Sequence, residues 1–194
     1  MEEKRFAVEA TISTEEMKRI RKKLDLTQKG FVGLLGCSKK TVERVTGLRN
    51  FGIYMNQLFT IDALFLNEDR HTHNMAVLMD GEGRFSLCPV FDNGGALLSD
   101  MSMDYPMSED PVVLMREVKA KTISTDFDEQ LDVSEKLYGN RLKFYFNPKD
   151  VSDLLDGIKI YSSDEKNRVK DILLTQMKKY AYLFKSCEVE NGRL

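Results

Sequence analysis

Asp69, His71, His73 and Asn74 fall within one short segment, NEDRHTHN, and Asp92 opens the DNGG of a second, PVFDNGG, a short way on. Two kinds of chemistry suit such a set. The first is phosphoryl transfer. It needs a carboxylate that orients an attacking hydroxyl and takes its proton, and a hard cation held by an amide oxygen and a second carboxylate. Asp69 and Asn74, five positions apart, and Asp92 beyond them have the required types, and Mg²⁺ suits an all-oxygen donor set. The second is metal-dependent hydrolysis, with Asp69, His71, His73 and Asp92 as mixed nitrogen and oxygen ligands of zinc or another transition metal. Plainer readings stand beside both. An Asp and an Asn at this spacing arise often by chance. His71 also reads as a packed loop residue, His73 as an exposed one, and Asn93-Gly94-Gly95 as an ordinary loop that turns sharply after Asp92. Asp62 reads either as a supporting carboxylate or as one residue of a polar helix face.

These residues need elements to bring them together. MAVLM reads as a strand, DGEG as a hairpin turn and RFSLCPVF as the return strand, which carries Asp92 back beside Asn74. Ahead of them, LRNFGIYMNQLFTIDALFLNEDRH reads as a helix with Phe51, Met55, Leu58, Phe59, Leu64 and Phe65. It is apolar on more than one side, which predicts a central, buried helix. Residues 99–142 alternate short helices with polar loops. Asn147-Pro148 starts a further helix, with proline in its first turn and Gly157 past its end. A last helix is expected from Asp164 to Phe184. Val169, Ile172, Leu173, Tyr180 and Leu183 form its apolar face, Tyr182 and Phe184 are read as core, and EVENGRL as a frayed tail.

DRHTHN followed by PVFDNG resembles the HipA-like serine/threonine kinases of bacterial toxin–antitoxin operons, whose catalytic loop reads Asp-x-His-x-x-Asn and whose metal aspartate follows a strand pair. The resemblance covers about residues 48–185 and implies a helical kinase C-terminal lobe. It implies Asp69 as catalytic base, His71 as the family's loop histidine, and Asn74 and Asp92 as ligands of the Mg²⁺ that accompanies ATP. The chain departs from a whole kinase ahead of Asp69. No glycine-rich loop between strands and no strand lysine of the Val-Ala-x-Lys kind is present, and residues 1–47 are too few and too helical to supply them. The expectation is a truncated or degenerate kinase lobe, or one that a partner chain completes.

The first quarter has a different character. Lys18, Arg19, Arg21, Lys22, Lys23, Lys29, Lys39, Lys40, Arg44 and Arg49 crowd it, although the net charge of the whole chain is only −2. Such asymmetry points to a nucleic-acid-facing module on an acidic body. After a strand-like lead-in, FAVEATI, the segment reads as short helices capped by Ser13 or Thr14, Thr27 and Ser38, with a tight turn at Gly36-Cys37. LTQKGFVGLLGCSKKTVERV resembles the Xre/Cro-type helix-turn-helix over about Ile12 to Thr46. The resemblance implies a recognition helix that offers Lys39, Lys40, Thr41 and Arg44 from its Ser38 cap, with Gln28 opening the helix before it. Gly30 and Gly33 inside that helix depart from the pattern, at about 1 kcal/mol each relative to alanine. One such motif reads a half-site, so a homodimer fits.

Composition sets the outer limits. The 194 residues are 42% hydrophobic, enough for a core, and 31% charged. Three scattered cysteines, Cys37, Cys88 and Cys187, read as reduced thiols. No run approaches the ~20 apolar residues of a membrane helix, so the expected place is the cytoplasm. The expected fold is mainly α (α+β): a helix-turn-helix module over 1–47, a helical kinase-like lobe with a small β-hairpin over 48–185, and a tail over 186–194. The expected function is a DNA-binding regulator of toxin–antitoxin type. The alternatives are an active Mg²⁺-dependent protein kinase acting on a protein substrate with a partner's N-lobe, and the hydrolase.

Overall fold

A computed structural model of the chain describes residues 6–8, 48, 50–71, 74–75, 77–82 and 84–184. The helix-turn-helix expected from Ile12 to Thr46 lies outside the described residues, with Gln28, Ser38, Lys39, Lys40, Thr41 and Arg44; so do His73 and the tail. What is described is mostly helical, with one small sheet. In chain order the elements are β1 (Phe6–Val8), α1 (Phe51–Phe65), β2 (Val77–Met79), β3 (Phe85–Leu87), α2 (Pro111–Leu114), α3 (Phe127–Tyr138), α4 (Pro148–Gly157), α5 (Ser163–Lys179) and a 3-10 turn (Ala181–Leu183).

α1 is the hub. Leu58, Phe59, Ala63 and Leu64 are buried along it, and so are the polar Asn56, Thr60 and Asp62. A helix buried on this many sides must satisfy its polar groups inside the protein. Asn56 donates to Ser134 Oγ of α3 at 2.9 Å, and its oxygen accepts from the Arg141 amide at 3.3 Å. Gln176 of α5 donates to the Ala63 carbonyl at 2.8 Å. α3 lies closest against α1, because Gly52 leaves no side chain between the helix and the Tyr138 ring. The main core joins Ala63, Leu64 and Leu66 to Leu98, Leu114, Leu131, Ile172 and Leu183.

The helix ends follow capping chemistry. Asp126 caps α3 by accepting from Asp128 N and Glu129 N. Asn147 with Asp150, and Ser162 with Glu165, form reciprocal capping boxes on α4 and α5. α1 ends differently. Leu66 adopts a left-handed conformation with φ of 52°, a place usually given to glycine. That costs on the order of 1–2 kcal/mol, and burial of the leucine side chain offsets it. The turn sends the next residues straight back under the helix end.

The sheet order is β1-β2-β3, antiparallel throughout, with Leu78 opposite Ala7 on one side and Ser86 on the other. The expected hairpin is therefore present, but its strands are three residues each, shorter than MAVLM and RFSLCPVF implied. Asp80 closes the turn by accepting from the Glu82 and Arg84 amides, and Pro89 has no N–H with which to extend the ladder. Other boundaries also move. Gly157 is the last residue of α4 rather than the one past it. α5 stops at Lys179, where Tyr180 leaves helical geometry, and the chain continues as the 3-10 turn instead of reaching Phe184 as helix. Tyr180 is buried and Phe184 half-buried, but Tyr182 is exposed, its hydroxyl donating to Glu135 at 3.2 Å.

Candidate active site

The site grows from a buried ion pair. Asp62, in the last turn of α1, and Arg70, in the loop after it, are each 1% exposed and meet at 3.1 Å. Burial pushes the Asp62 carboxyl above its ordinary range, against the pull of Arg70 and of the Asn67 amide. Asn67 donates to Asp62 Oδ1 at 3.0 Å, and its own oxygen accepts from the Asp69 amide at 3.3 Å. The loop is thereby built onto the end of α1 one residue at a time. Thr122 donates to the Arg70 carbonyl at 2.5 Å, and Tyr105 to Glu68 at 2.8 Å, so two distant segments hold it from outside.

Asp69 and Asn74 are in direct contact. The Asn74 amide nitrogen donates to the Asp69 carbonyl at 2.8 Å and stands 3.5 Å from its carboxylate oxygen Oδ2. The nitrogen is thus engaged, and the amide oxygen is the end left for a cation. Asn74 is buried, and the Asp69 side chain is 45% exposed, so the pair sits at the protein surface with its carboxylate side open. His71 Nε2 lies 3.8 Å from Asp69 Oδ1, with the imidazole 40% exposed. The histidine is thus half-buried beside the carboxylate.

Arg70 carries this loop to the segment around Asp92. Its Nη1 donates to the Asn74 carbonyl at 3.0 Å and to the Phe91 carbonyl at 2.6 Å; its Nη2 donates to Asn93 Oδ1 at 2.5 Å. Asp92 lies between those last two residues, exposed, with φ of 54°. The sharp turn expected of Asn93-Gly94-Gly95 is present: the Ala96 amide donates to the Asn93 carbonyl at 3.2 Å across Gly94 and Gly95. Gly95 also serves close approach. A Cβ built on it would stand 2.7 Å from the Asp69 Cβ, and its carbonyl accepts from the Glu68 amide at 3.3 Å.

Asn74 and the two residues flanking Asp92 therefore converge on one guanidinium, and Asp69 joins them through the Asn74 amide. Among the described residues, no three His, Cys, Asp or Glu side chains gather as a metal cluster. A site of one amide and one or two carboxylates, with water completing the shell as Mg²⁺ prefers, does not require such a cluster. The hydrolase set includes His73, which lies outside the described residues. Sequence reasoning gave Arg70 no role. The signal for it was present: an acid placed in a helix apolar on several sides needs a buried cation, and Arg70 is the first arginine after Asp62.

No protein-family model, curated protein or solved structure matches this chain.

Proposed function

We propose that the chain is a DNA-binding regulator of toxin–antitoxin type whose body is a HipA-like kinase lobe that holds Mg²⁺–ATP. The observation that carries the reading is the arrangement just described: a carboxylate and an amide in contact, tied through one arginine to the residues on either side of the exposed Asp92. In this reading Asn74 and Asp92 hold the cation through oxygen, and Asp69 orients a hydroxyl and accepts its proton. The cation supplies charge neutralisation on the phosphates. The oxygen donors of Asn74 and Asp92 are of the type that suits Mg²⁺, whereas the zinc reading also needs His73, which lies outside the described residues. The Xre/Cro-like segment supplies the DNA contact through Lys39, Lys40, Thr41 and Arg44. Catalysis by the chain alone is weak, because most of the work of phosphoryl transfer is positioning and charge stabilisation and the sequence offers no phosphate-covering loop.

A second reading, an active kinase completed by a partner chain's N-lobe, is favoured by the exposure of the candidate residues themselves: the Asp69 side chain is 45% exposed and Asp92 is exposed, within reach of another chain.

Calorimetric titration with ATP, with and without Mg²⁺, tests the body. Binding is expected only with Mg²⁺ and should be lost on Asp92→Ala; no heat in either case would leave the lobe a scaffold. The regulatory half is tested by binding to DNA from upstream of its own coding region. That binding should weaken steeply with salt and fall away in the Lys39→Ala/Lys40→Ala double variant.

A further inference from the structure

The Arg70 guanidinium has five N–H groups, and the fold uses all of them. Nε faces the Asp62 carboxylate. Nη2 is shared between Asp62 Oδ1, at 3.2 Å, and Asn93 Oδ1. Nη1 is shared between the carbonyls of Asn74 and Phe91. Neutralising Asp62 would need only Nε and one hydrogen of Nη2. The other donors go to three residues that have nothing to do with Asp62 and that belong to the two segments bearing the candidate metal ligands.

We propose that Arg70 is a positioning residue that sets the separation between Asn74 and Asp92, with Asn93 as the latch of the clamp, so that cation affinity depends on residues that never touch the cation. The inference rests on the phosphotransfer reading and deepens it. At 1% exposure the guanidinium cannot reach a substrate, so it acts through other groups. It grips Asp92 from both sides, by the carbonyl before it and the side chain after it, and so holds the aspartate in a left-handed backbone conformation that a free loop would leave. The same nitrogen that grips Phe91 also grips Asn74. Moving one ligand therefore strains the hydrogen bond to the other. Lysine has the charge but only three donors and no planar fork, and it cannot span all four acceptor residues.

The probe is Mn²⁺ alone, a stand-in for Mg²⁺ whose binding is read by electron paramagnetic resonance on the full chain. Four proteins are compared at a temperature well below unfolding: the parent, Asp92→Ala, Asn93→Ala and Arg70→Lys. Asn93 is exposed, so its alanine variant keeps the buried Asp62–Arg70 pair and should fold even if Arg70→Lys does not. Mutating groups that orient metal ligands typically costs about 10- to 100-fold in metal affinity, and about tenfold or more is expected for Asn93→Ala with little change in thermal midpoint. Parent binding that is lost in Asp92→Ala but unchanged within about twofold in Asn93→Ala would overturn the clamp and leave the phosphotransfer reading standing. Absence of Mn²⁺ binding by the parent would overturn both.

Discussion

The polar side chains of the site are linked end to end by hydrogen bonds. Asp62 accepts from Arg70 and Asn67, Asn67 from Asp69, and Asn74 donates back to Asp69. Gly95 has a part in this order because it has no side chain. Gly95→Ala should drive the new methyl into Asp69, at a cost of about 1–3 kcal/mol from overpacking, and should weaken Mg²⁺–ATP binding beyond what the stability change explains. Calorimetric titration beside thermal unfolding separates the two effects, and an unchanged affinity would show that Asp69 does not move. The types and spacing of Asp69, Asn74 and Asp92 were legible in the sequence, because a loop and a following hairpin are local. Arg70 was not, because its acceptors include carbonyls and a side chain up to 23 residues away. Nothing in a sequence marks a carbonyl as awaiting a donor.

The elements follow the apolar pattern where side chains decide and depart from it where backbone hydrogen bonds do. α1 was recognisable as buried from its excess of apolar positions. That Asn56 and Thr60 are buried with it was not, since Asn56 finds its partners 78 and 85 residues further on. Strand lengths and the end of α5 were overestimated for a related reason. Apolar runs continue past the last ladder bond or helical turn, as Val90, Phe91 and Leu183 do. The contact between α1 and α3 gives a sharp test. Gly52→Ala would drive a methyl into the hydroxyl end of the Tyr138 ring. It should lower stability by about 1–3 kcal/mol, read as a drop in thermal midpoint, and Tyr138→Ala in the same chain should restore part of it by making room.

The whole molecule joins distant parts of the chain through buried tyrosines as well as aliphatic core. Tyr180 donates to Asp128 at 2.5 Å and Tyr105 to Glu68 at 2.8 Å. Burial first, then these carboxylates, raise both phenols above their ordinary value, and burial also raises Tyr54. A raised phenol holds its proton more tightly in the native state than in the unfolded one. Its contribution to stability is thus fully present below about pH 10, the unfolded value, and is lost as pH rises through the native value. Stability should fall from about pH 10 upward, and Tyr180→Phe should be less stable below that pH but show a shallower decline above it. Urea unfolding across that range checks this, since lysines titrate equally in both proteins. At this scale the mainly helical character was legible in the sequence. Among the described residues no helix is long and apolar enough to cross a membrane.

β1 pairs with a strand far along the sequence, Phe6 opposite Met79, whereas β2 and β3 are joined by a short turn. Neighbouring pairings close cheaply and distant ones slowly, because the entropy lost in closing a loop grows with its length. The β2–β3 hairpin should therefore assemble first, and β1 should add later as an outer strand beside Val77–Met79.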